Sequence, residues 1–107
     1  MARTPIHPGE HLADAMDGLG INAHQLAQAI RVPPNRVTAI LNGTRAVTAD
    51  SALRLGRYFG TSAEFWLNLQ QLYDLRRAQR EIGTMLKGIR RGRRHSRAVE
   101  RTSSRAA

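Results

Sequence analysis

Apolar residues recur at intervals of three and four from residue 8 to about residue 81, and no segment alternates with a period of two. The first spacing places side chains on one face of an α-helix, whereas a half-buried strand needs alternation. The pattern therefore predicts an all-α protein with no sheet. Five helices can be placed, over residues 8–17, 23–30, 34–41, 49–59 and 62–81.

Helix-start signals precede each of these segments. Pro8 and Pro34 suit the first turn of the first and third helices. Proline has no backbone N–H, but N–H groups in the first turn have no partner within the helix, and the fixed φ of proline is already close to the helical value. Asn22 and Thr48 are good N-cap residues for the second and fourth. In segment 61–64, TSAE, the threonine is predicted to cap the fifth helix while the glutamate reaches back to it, as in a capping box.

The apolar faces of these helices predict one small core. Residues on the inner faces of the first, second and fourth helices are expected to meet there, together with the apolar residues of the turn before the third helix and of that helix itself. The core residues predicted on this basis are Leu12, Ala13, Met16, Leu26, Ala27, Ile30, Val32, Val37, Ile40, Leu41, Ala52, Leu53, Leu55 and Phe59.

Segment 22–43 has the layout of a helix-turn-helix. Two short amphipathic helices are joined by a turn at 31–33, and the second carries polar Asn35, Arg36 and Thr38 on one side. In such a motif the second helix lies in the major groove of DNA. The segment therefore favours a sequence-specific DNA-binding protein over an enzyme.

Composition limits the rest of the chain. With 107 residues, 41% of them hydrophobic, it can bury one modest core, so we expect a single domain with an additional tail. The absence of cysteine excludes disulfides and thiolate metal sites, and fits a reducing cytoplasm. The N-terminus has no apolar signal-peptide core and no apolar run is long enough to span a membrane, so neither is predicted.

Charge is distributed unevenly along the chain. The net charge is +9 and the isoelectric point about 11.7, which favours a polyanionic partner. Residues 1–82 contain nine arginines and seven acids, a net +2, whereas residues 83–107 contain eight Lys or Arg and one acid, a net +7. We therefore predict a domain over 1–82 and a basic, disordered tail over 83–107. The basic run Lys87, Arg90, Arg91, Arg93, Arg94 and Arg97 is expected to add non-specific phosphate contacts, or to be a solvated extension.

The sequence contains one segment that formally matches an enzyme motif. Segment 7–11, HPGEH, matches the H-x-x-E-H pattern of some zinc peptidases. That chemistry requires both histidines on one helical turn, but a helix beginning at Pro8 leaves His7 outside it. We therefore predict no catalytic residue, no metal and no cofactor.

With these elements placed, the chain resembles the HigA-type antitoxins of the XRE, or lambda-repressor-like, helix-turn-helix family. The resemblance covers about residues 5–80 and rests on HPGEHL at 7–12 and on three motifs within 25–76, namely VPPNRV, NGTRAVTAD and GTSAEFWLNLQ. Generic helix-turn-helix proteins seldom share the FWLNLQ element. The length and basicity of the tail depart from the family pattern.

The resemblance implies a five-helix domain that forms a homodimer, binds double-stranded operator DNA to repress its own operon, and neutralises a RelE-like ribonuclease toxin by direct binding. Residues 1–10, together with a face of the first helix, are a candidate toxin contact; the alternative is that residues 1–10 form an unattached arm. Mapped onto this sequence, the implied base contacts are Pro34, Asn35, Arg36, Thr38 and Ala39, and the expected phosphate contacts are Gln25, Asn42, Thr44 and Arg45.

The fifth helix carries an apolar stripe wider than one small domain needs. A twofold dimer would bury the excess, although a purely intradomain core is the alternative. The expected dimer residues are Phe65, Trp66, Leu69, Leu72 and Tyr73.

Two other functions stay open at this point. One is a stand-alone XRE-type transcriptional regulator without a toxin partner. The other is a nucleic-acid-associated module whose tail does most of the binding, with little sequence preference.

Overall fold

A computed structural model describes residues 4–92, which form five α-helices and no strand. The all-α, five-helix prediction is confirmed. Residues 93–107, most of the tail that is predicted to be disordered, lie outside the described range. They include Arg93, Arg94 and Arg97 of the basic run. The helices are α1 (Pro8–Leu19), α2 (Ala23–Ile30), α3 (Pro34–Leu41), α4 (Ala49–Phe59) and α5 (Ala63–Leu86).

Local side-chain chemistry sets the starts of α2 and α4 as predicted. The Asn22 side chain accepts a hydrogen bond from the Gln25 backbone N–H at 2.8 Å, and the Gln25 side chain accepts one from the Asn22 N–H at 2.9 Å. This capping box satisfies two N–H groups that the helix leaves unpaired. The Thr48 hydroxyl accepts from the Ser51 N–H in the same way.

The start of α5 corrects the sequence prediction by one residue. Ser62, not Thr61, is the N-cap, and its hydroxyl accepts from the Phe65 N–H at 3.1 Å. The Thr61 hydroxyl instead accepts from the indole Nε1–H of Trp66 at 2.8 Å. A buried indole needs an acceptor, and Thr61 provides it, so the neighbouring serine takes over the cap.

Two helices extend further than predicted. The first passes through Gly18 to Leu19 and ends at Gly20, which has a φ of 66°. The fifth passes through Gly83 to Leu86, so the described chain has no break at residue 82. A glycine inside a helix costs only about 1 kcal/mol relative to alanine, which the rest of a long helix can offset.

The core lies where all five helices meet. Leu12, Leu26, Val37, Leu55 and Trp66 are each at most 1% exposed, and Val32, Leu41 and Phe59 pack partly buried at the edge. The prediction was wrong for two residues: the Leu53 side chain is 65% exposed, and Ala13 is half-buried outside the core cluster. Helix α4 packs on α5 and α2 through the face that carries Ala52 and Leu55, and Leu53 lies on the opposite side.

A buried glutamine fixes the loop between α3 and α4. The Gln70 side-chain oxygen accepts a hydrogen bond from the Val47 N–H at 2.8 Å, and its amide nitrogen donates to Asp74 at 3.0 Å. Val47 is itself 3% exposed. Because α5 thereby anchors the loop that follows α3, the position of α3 depends on α5 as well as on the helices next to it in sequence.

The N-terminal end of α1 packs tightly against the C-terminal end of α3. A Cβ added to Gly9 would collide with the backbone carbonyl oxygen of Ile40. The His7 Nδ1 atom caps α1 by accepting from the Gly9 N–H at 2.9 Å.

No helix within residues 4–92 has the length and hydropathy needed to cross a membrane.

Candidate nucleic-acid interface

The turn between α2 and α3 is held in a left-handed conformation. Arg31 has a φ of 61° and ends α2, and the Val32 N–H donates to the Ala27 carbonyl at 3.0 Å. Few non-glycine residues adopt a positive φ, and each such residue carries some strain. The Arg54 side chain compensates by donating to the carbonyls of Ile30 at 2.7 Å and Arg31 at 3.2 Å.

Helix α3 has one face buried in the core. Val37 and Ile40 are at most 3% exposed and anchor the helix in the core. The residues predicted to contact bases lie on the other side, with Pro34, Asn35 and Thr38 exposed and Arg36 and Ala39 half-buried. None of the five predicted base-contact residues therefore belongs to the buried face of α3.

The polar groups of this surface differ in what they can offer. The Asn35 side chain is exposed and makes no hydrogen bond within residues 4–92, so its amide can donate and accept together, as adenine requires. The Thr38 hydroxyl donates to the Asn35 carbonyl at 3.2 Å and to the Pro34 carbonyl at 3.4 Å. Its donor is therefore occupied, and its methyl group is the group suited to contact a thymine methyl.

Arg36 is held by an ion pair that the sequence analysis missed. Its Nη1 atom lies 2.6 Å from Asp50 Oδ1, and Arg54 Nε lies 2.7 Å from the same oxygen. Hydrogen bonds from Arg54 and then Arg36 lower the pKa of Asp50, because both stabilise its ionised form. The Asp50–Arg54 spacing of four on α4 was visible in the sequence, but the pairing with Arg36 depends on the fold.

The predicted phosphate contacts surround α3. Gln25 uses its side-chain oxygen in the capping box, which leaves its amide N–H groups for a phosphate. The Thr44 hydroxyl donates to the Ala39 carbonyl at 3.2 Å, and the N–H groups of Thr44 and Arg45 donate to the same oxygen, so three hydrogen bonds tie the loop to α3. Asn42 and Arg45 are exposed beside it.

The predicted dimer surface on α5 is partly available. Phe65 and Leu72 are 44% and 45% exposed, while Leu69 and Tyr73 are half-buried. The prediction that Trp66 belongs to the dimer surface is wrong. The side chain is 1% exposed and fills the core of the protomer, where its ring packs near Phe59 of α4. It therefore has no surface that a second copy could contact. Leu75 belongs to the same apolar stripe but not to the predicted dimer set, and it is 54% exposed near Leu72.

No cluster of three potential metal ligands occurs in the stretch from Thr4 to Gly92. His7, which belongs to the H-x-x-E-H match, uses Nδ1 as a helix cap and stacks edge-on against the Tyr73 ring at 4.8 Å between centroids. The structure thus gives His7 a role in joining the N-terminal arm to α5.

The chain is similar to known helix-turn-helix proteins. A family model described as helix-turn-helix matches residues 12–66. Virulence-associated protein I of Dichelobacter nodosus is 48% identical over 77 residues, which cover 71% of each chain.

Solved structures of antitoxins superpose on most of the chain. An addiction module antidote protein of the HigA family from Coxiella burnetii has a TM-score of 0.82 and 49% identity, covering 85% of this chain and 100% of that one. The Pseudomonas aeruginosa antitoxin HigA, solved with the higBA promoter, has a TM-score of 0.78 and 42% identity over 82% and 97% of the two chains. The protein described by this sequence therefore belongs to the HigA-type antitoxins of the helix-turn-helix family.

Proposed function

We propose that this protein is the antitoxin of a type II toxin–antitoxin module. As a homodimer it binds operator DNA through α3, represses its own operon, and neutralises a RelE-like ribonuclease toxin by direct binding. One observation carries the DNA-binding half: the exposed polar face of α3 belongs to a fold shared with an antitoxin solved on promoter DNA. The toxin-binding half rests on membership of the HigA family.

In this proposal the residues of the α3 surface divide the work. Asn35 pairs with an adenine edge and Arg36 with a guanine edge, while Pro34, Thr38 and Ala39 make apolar contacts. Gln25, Asn42, Thr44 and Arg45 bind phosphates and set the position of α3 in the groove. In a twofold dimer the two copies of α3 would contact half-sites about one helical turn of DNA apart.

Gel-shift titration on the DNA upstream of the gene tests the DNA-binding half. Arg36→Ala and Asn35→Ala should each weaken binding about 5- to 150-fold, the equivalent of roughly 1–3 kcal/mol per lost bidentate pair. Arg80→Ala is the matched control, because Arg80 is an exposed cation on α5, distant in sequence from the helix-turn-helix. Unchanged binding by both α3 variants would show that another surface contacts the bases.

Co-expression with the neighbouring gene tests the toxin-binding half. The adjacent RelE-like product should co-purify with the full-length chain, and its ribonuclease activity should be absent from the complex. If no such gene adjoins this one, or if its product does not bind, the protein is a stand-alone transcriptional regulator.

A further inference from the structure

We propose that Asp50 is a positioning residue for base recognition: it fixes the guanidinium of Arg36 before DNA arrives, and thereby sets the base preference at the position that Arg36 contacts. The inference rests on the proposed function, since it assumes that α3 enters the major groove. It adds a residue outside α3 to the determinants of specificity.

The geometry of the contact leaves one edge of Arg36 free. Asp50 Oδ1 accepts from Nη1 of Arg36 at 2.6 Å, and within residues 4–92 no hydrogen bond involves Nε or Nη2 of that side chain. The Nε and Nη2 N–H groups lie on the opposite edge of the planar guanidinium and form a complete two-donor fork. Such a fork matches the O6 and N7 acceptors of guanine.

Asp50 is itself held from a second direction. Its Oδ1 atom also accepts from Arg54 Nε at 2.7 Å. The Nη1 atom of Arg54 donates to the Ile30 carbonyl at 2.7 Å and to the Arg31 carbonyl at 3.2 Å, where α2 ends. Arg54 thus ties the carboxylate to the end of α2, and a single acceptor oxygen connects α2, α3 and α4.

The consequence for recognition is a preorganised arginine. A free arginine loses rotamer freedom when it binds a base, and it can equally turn towards a phosphate, which carries no sequence information. An arginine already fixed by a carboxylate loses less rotamer freedom on binding and is held away from the phosphates. The Arg36 side chain is only 24% exposed, against 56% for Asp50, as expected for a side chain confined between its helix and its partner.

Loss of Asp50 should therefore affect specificity and affinity differently. Without the carboxylate, Arg36 can reach phosphates, and one negative charge near the DNA is gone. Binding to unrelated DNA should strengthen or stay the same, while discrimination at the Arg36 position falls. A purely structural role for Asp50 would instead weaken binding to all sequences together.

Selection from a duplex DNA library with a randomised centre, followed by sequencing, measures this directly on the full-length chain. The variants are Arg36→Ala, Asp50→Ala, Asp50→Asn and the double variant Arg36→Ala/Asp50→Ala. Asp17→Asn is the matched charge control, since Asp17 is exposed on α1 and its side chain forms no ion pair within residues 4–92. Thermal unfolding of each variant verifies that it is folded.

The expected result is a local loss of preference. The base pair whose preference disappears in Arg36→Ala should lose about fivefold or more of its discrimination in Asp50→Ala, with a smaller loss in Asp50→Asn, whose amide oxygen still accepts a hydrogen bond. The double variant should resemble Arg36→Ala, and Asp17→Asn should resemble the wild type.

Two outcomes would overturn the proposal, at different levels. If Asp50→Ala kept the full preference at the Arg36-dependent base pair, Asp50 would have no positioning role although the DNA-binding function stood. If the wild type enriched no motif, or Arg36→Ala left the motif unchanged, the assignment of Arg36 as a base contact would fail, and the positioning role with it.

Discussion

At the scale of single residues, two glycines of α1 have opposite roles. Gly9 lies where α1 meets α3, and a Cβ there would collide with the Ile40 carbonyl oxygen. Gly18 lies in the same helix, and apart from that helix's own neighbouring backbone no atom comes within 4 Å of the position that its Cβ would occupy. The first glycine is required by packing, whereas the second only lowers the stability of the helix.

Alanine substitutions at these two positions should therefore change stability in opposite directions. Gly9→Ala must push α1 away from the backbone of α3, and overpacking of this kind costs about 1–3 kcal/mol or more. Gly18→Ala should stabilise the protein by up to about 1 kcal/mol, because alanine is the better helix former. Urea denaturation measures both changes. Equal effects of the two substitutions would contradict the close approach of α1 and α3.

His7 shows how one side chain joins three parts of the chain. Burial lowers the pKa of His7, and this outweighs a backbone hydrogen bond with Arg45 and the charges of Asp74 and Glu10, which raise it. The lone pair of Nδ1 accepts from the Gly9 N–H, so the cap needs this nitrogen unprotonated. The folded state therefore favours the neutral imidazole.

Acidification should weaken the fold through His7. A pKa lowered on folding gives stability that is fully present above the unfolded pKa, ordinarily 6.5, and is lost as the pH falls through the lower folded value. The free energy of unfolding should thus decrease as the pH falls below about 6.5. His7→Asn should remove the part of this dependence that comes from His7, because asparagine can cap without titrating in this range. The matched control is His24→Gln, on the exposed side of α2, which should retain it.

At the scale of elements, α4 illustrates the difference between apolar residues and buried ones. Leu53 and Leu55 are two positions apart, so on a helix they point in very different directions. Leu55 is 1% exposed between α2 and α5, and Leu53 is 65% exposed. Both leucines are core residues in the sequence prediction, because an apolar side chain by itself does not reveal which face the rest of the protein covers.

Truncating these two leucines should separate their roles. Leu55→Ala should destabilise the protein by about 2–5 kcal/mol, the usual range for a buried leucine that leaves a cavity. Leu53→Ala should change stability by no more than about 0.5 kcal/mol, as is usual for an exposed position. Thermal or urea denaturation distinguishes the two, and a comparable loss from Leu53→Ala would mean that a second copy of the chain covers that face.

At the scale of the whole molecule, α5 extends beyond the domain that it helps to build. Trp66 and Gln70 serve the core and the loop after α3, while apolar side chains such as Phe65, Leu72 and Leu75 remain exposed along the helix. Several exposed apolar side chains along one helix are typical of a protein–protein interface. The proposed homodimer would bury it.

Replacing Leu72 by a charged residue tests this arrangement. Leu72→Glu should shift the full-length protein from dimer to monomer in sedimentation velocity, because burying an unpaired carboxylate at an interface is costly. Leu19→Glu is the control, since Leu19 is 56% exposed on α1 and lies outside the α5 surface. A dimer that persists in Leu72→Glu would place the interface elsewhere.

Much of this protein follows from the sequence alone. The bounds of α2 and α3, the Asn22 and Thr48 caps and the outward polar face of α3 match the predictions, because they depend on interactions between residues a few positions apart. The base contacts that the family resemblance implies also lie on one short helix, and they stay a prediction.

The tertiary structure decided what depends on contacts between distant segments. Ser62 rather than Thr61 caps α5, since the indole of Trp66 takes the threonine hydroxyl. Trp66 is buried because neighbouring helices cover it, and Leu53 is exposed because none does. Above all, Arg36 is paired with Asp50, fourteen residues away in sequence, because α3 and α4 meet at that point. Periodicity identifies the faces of a helix, but only the packing of helices against each other determines which side chains on those faces meet.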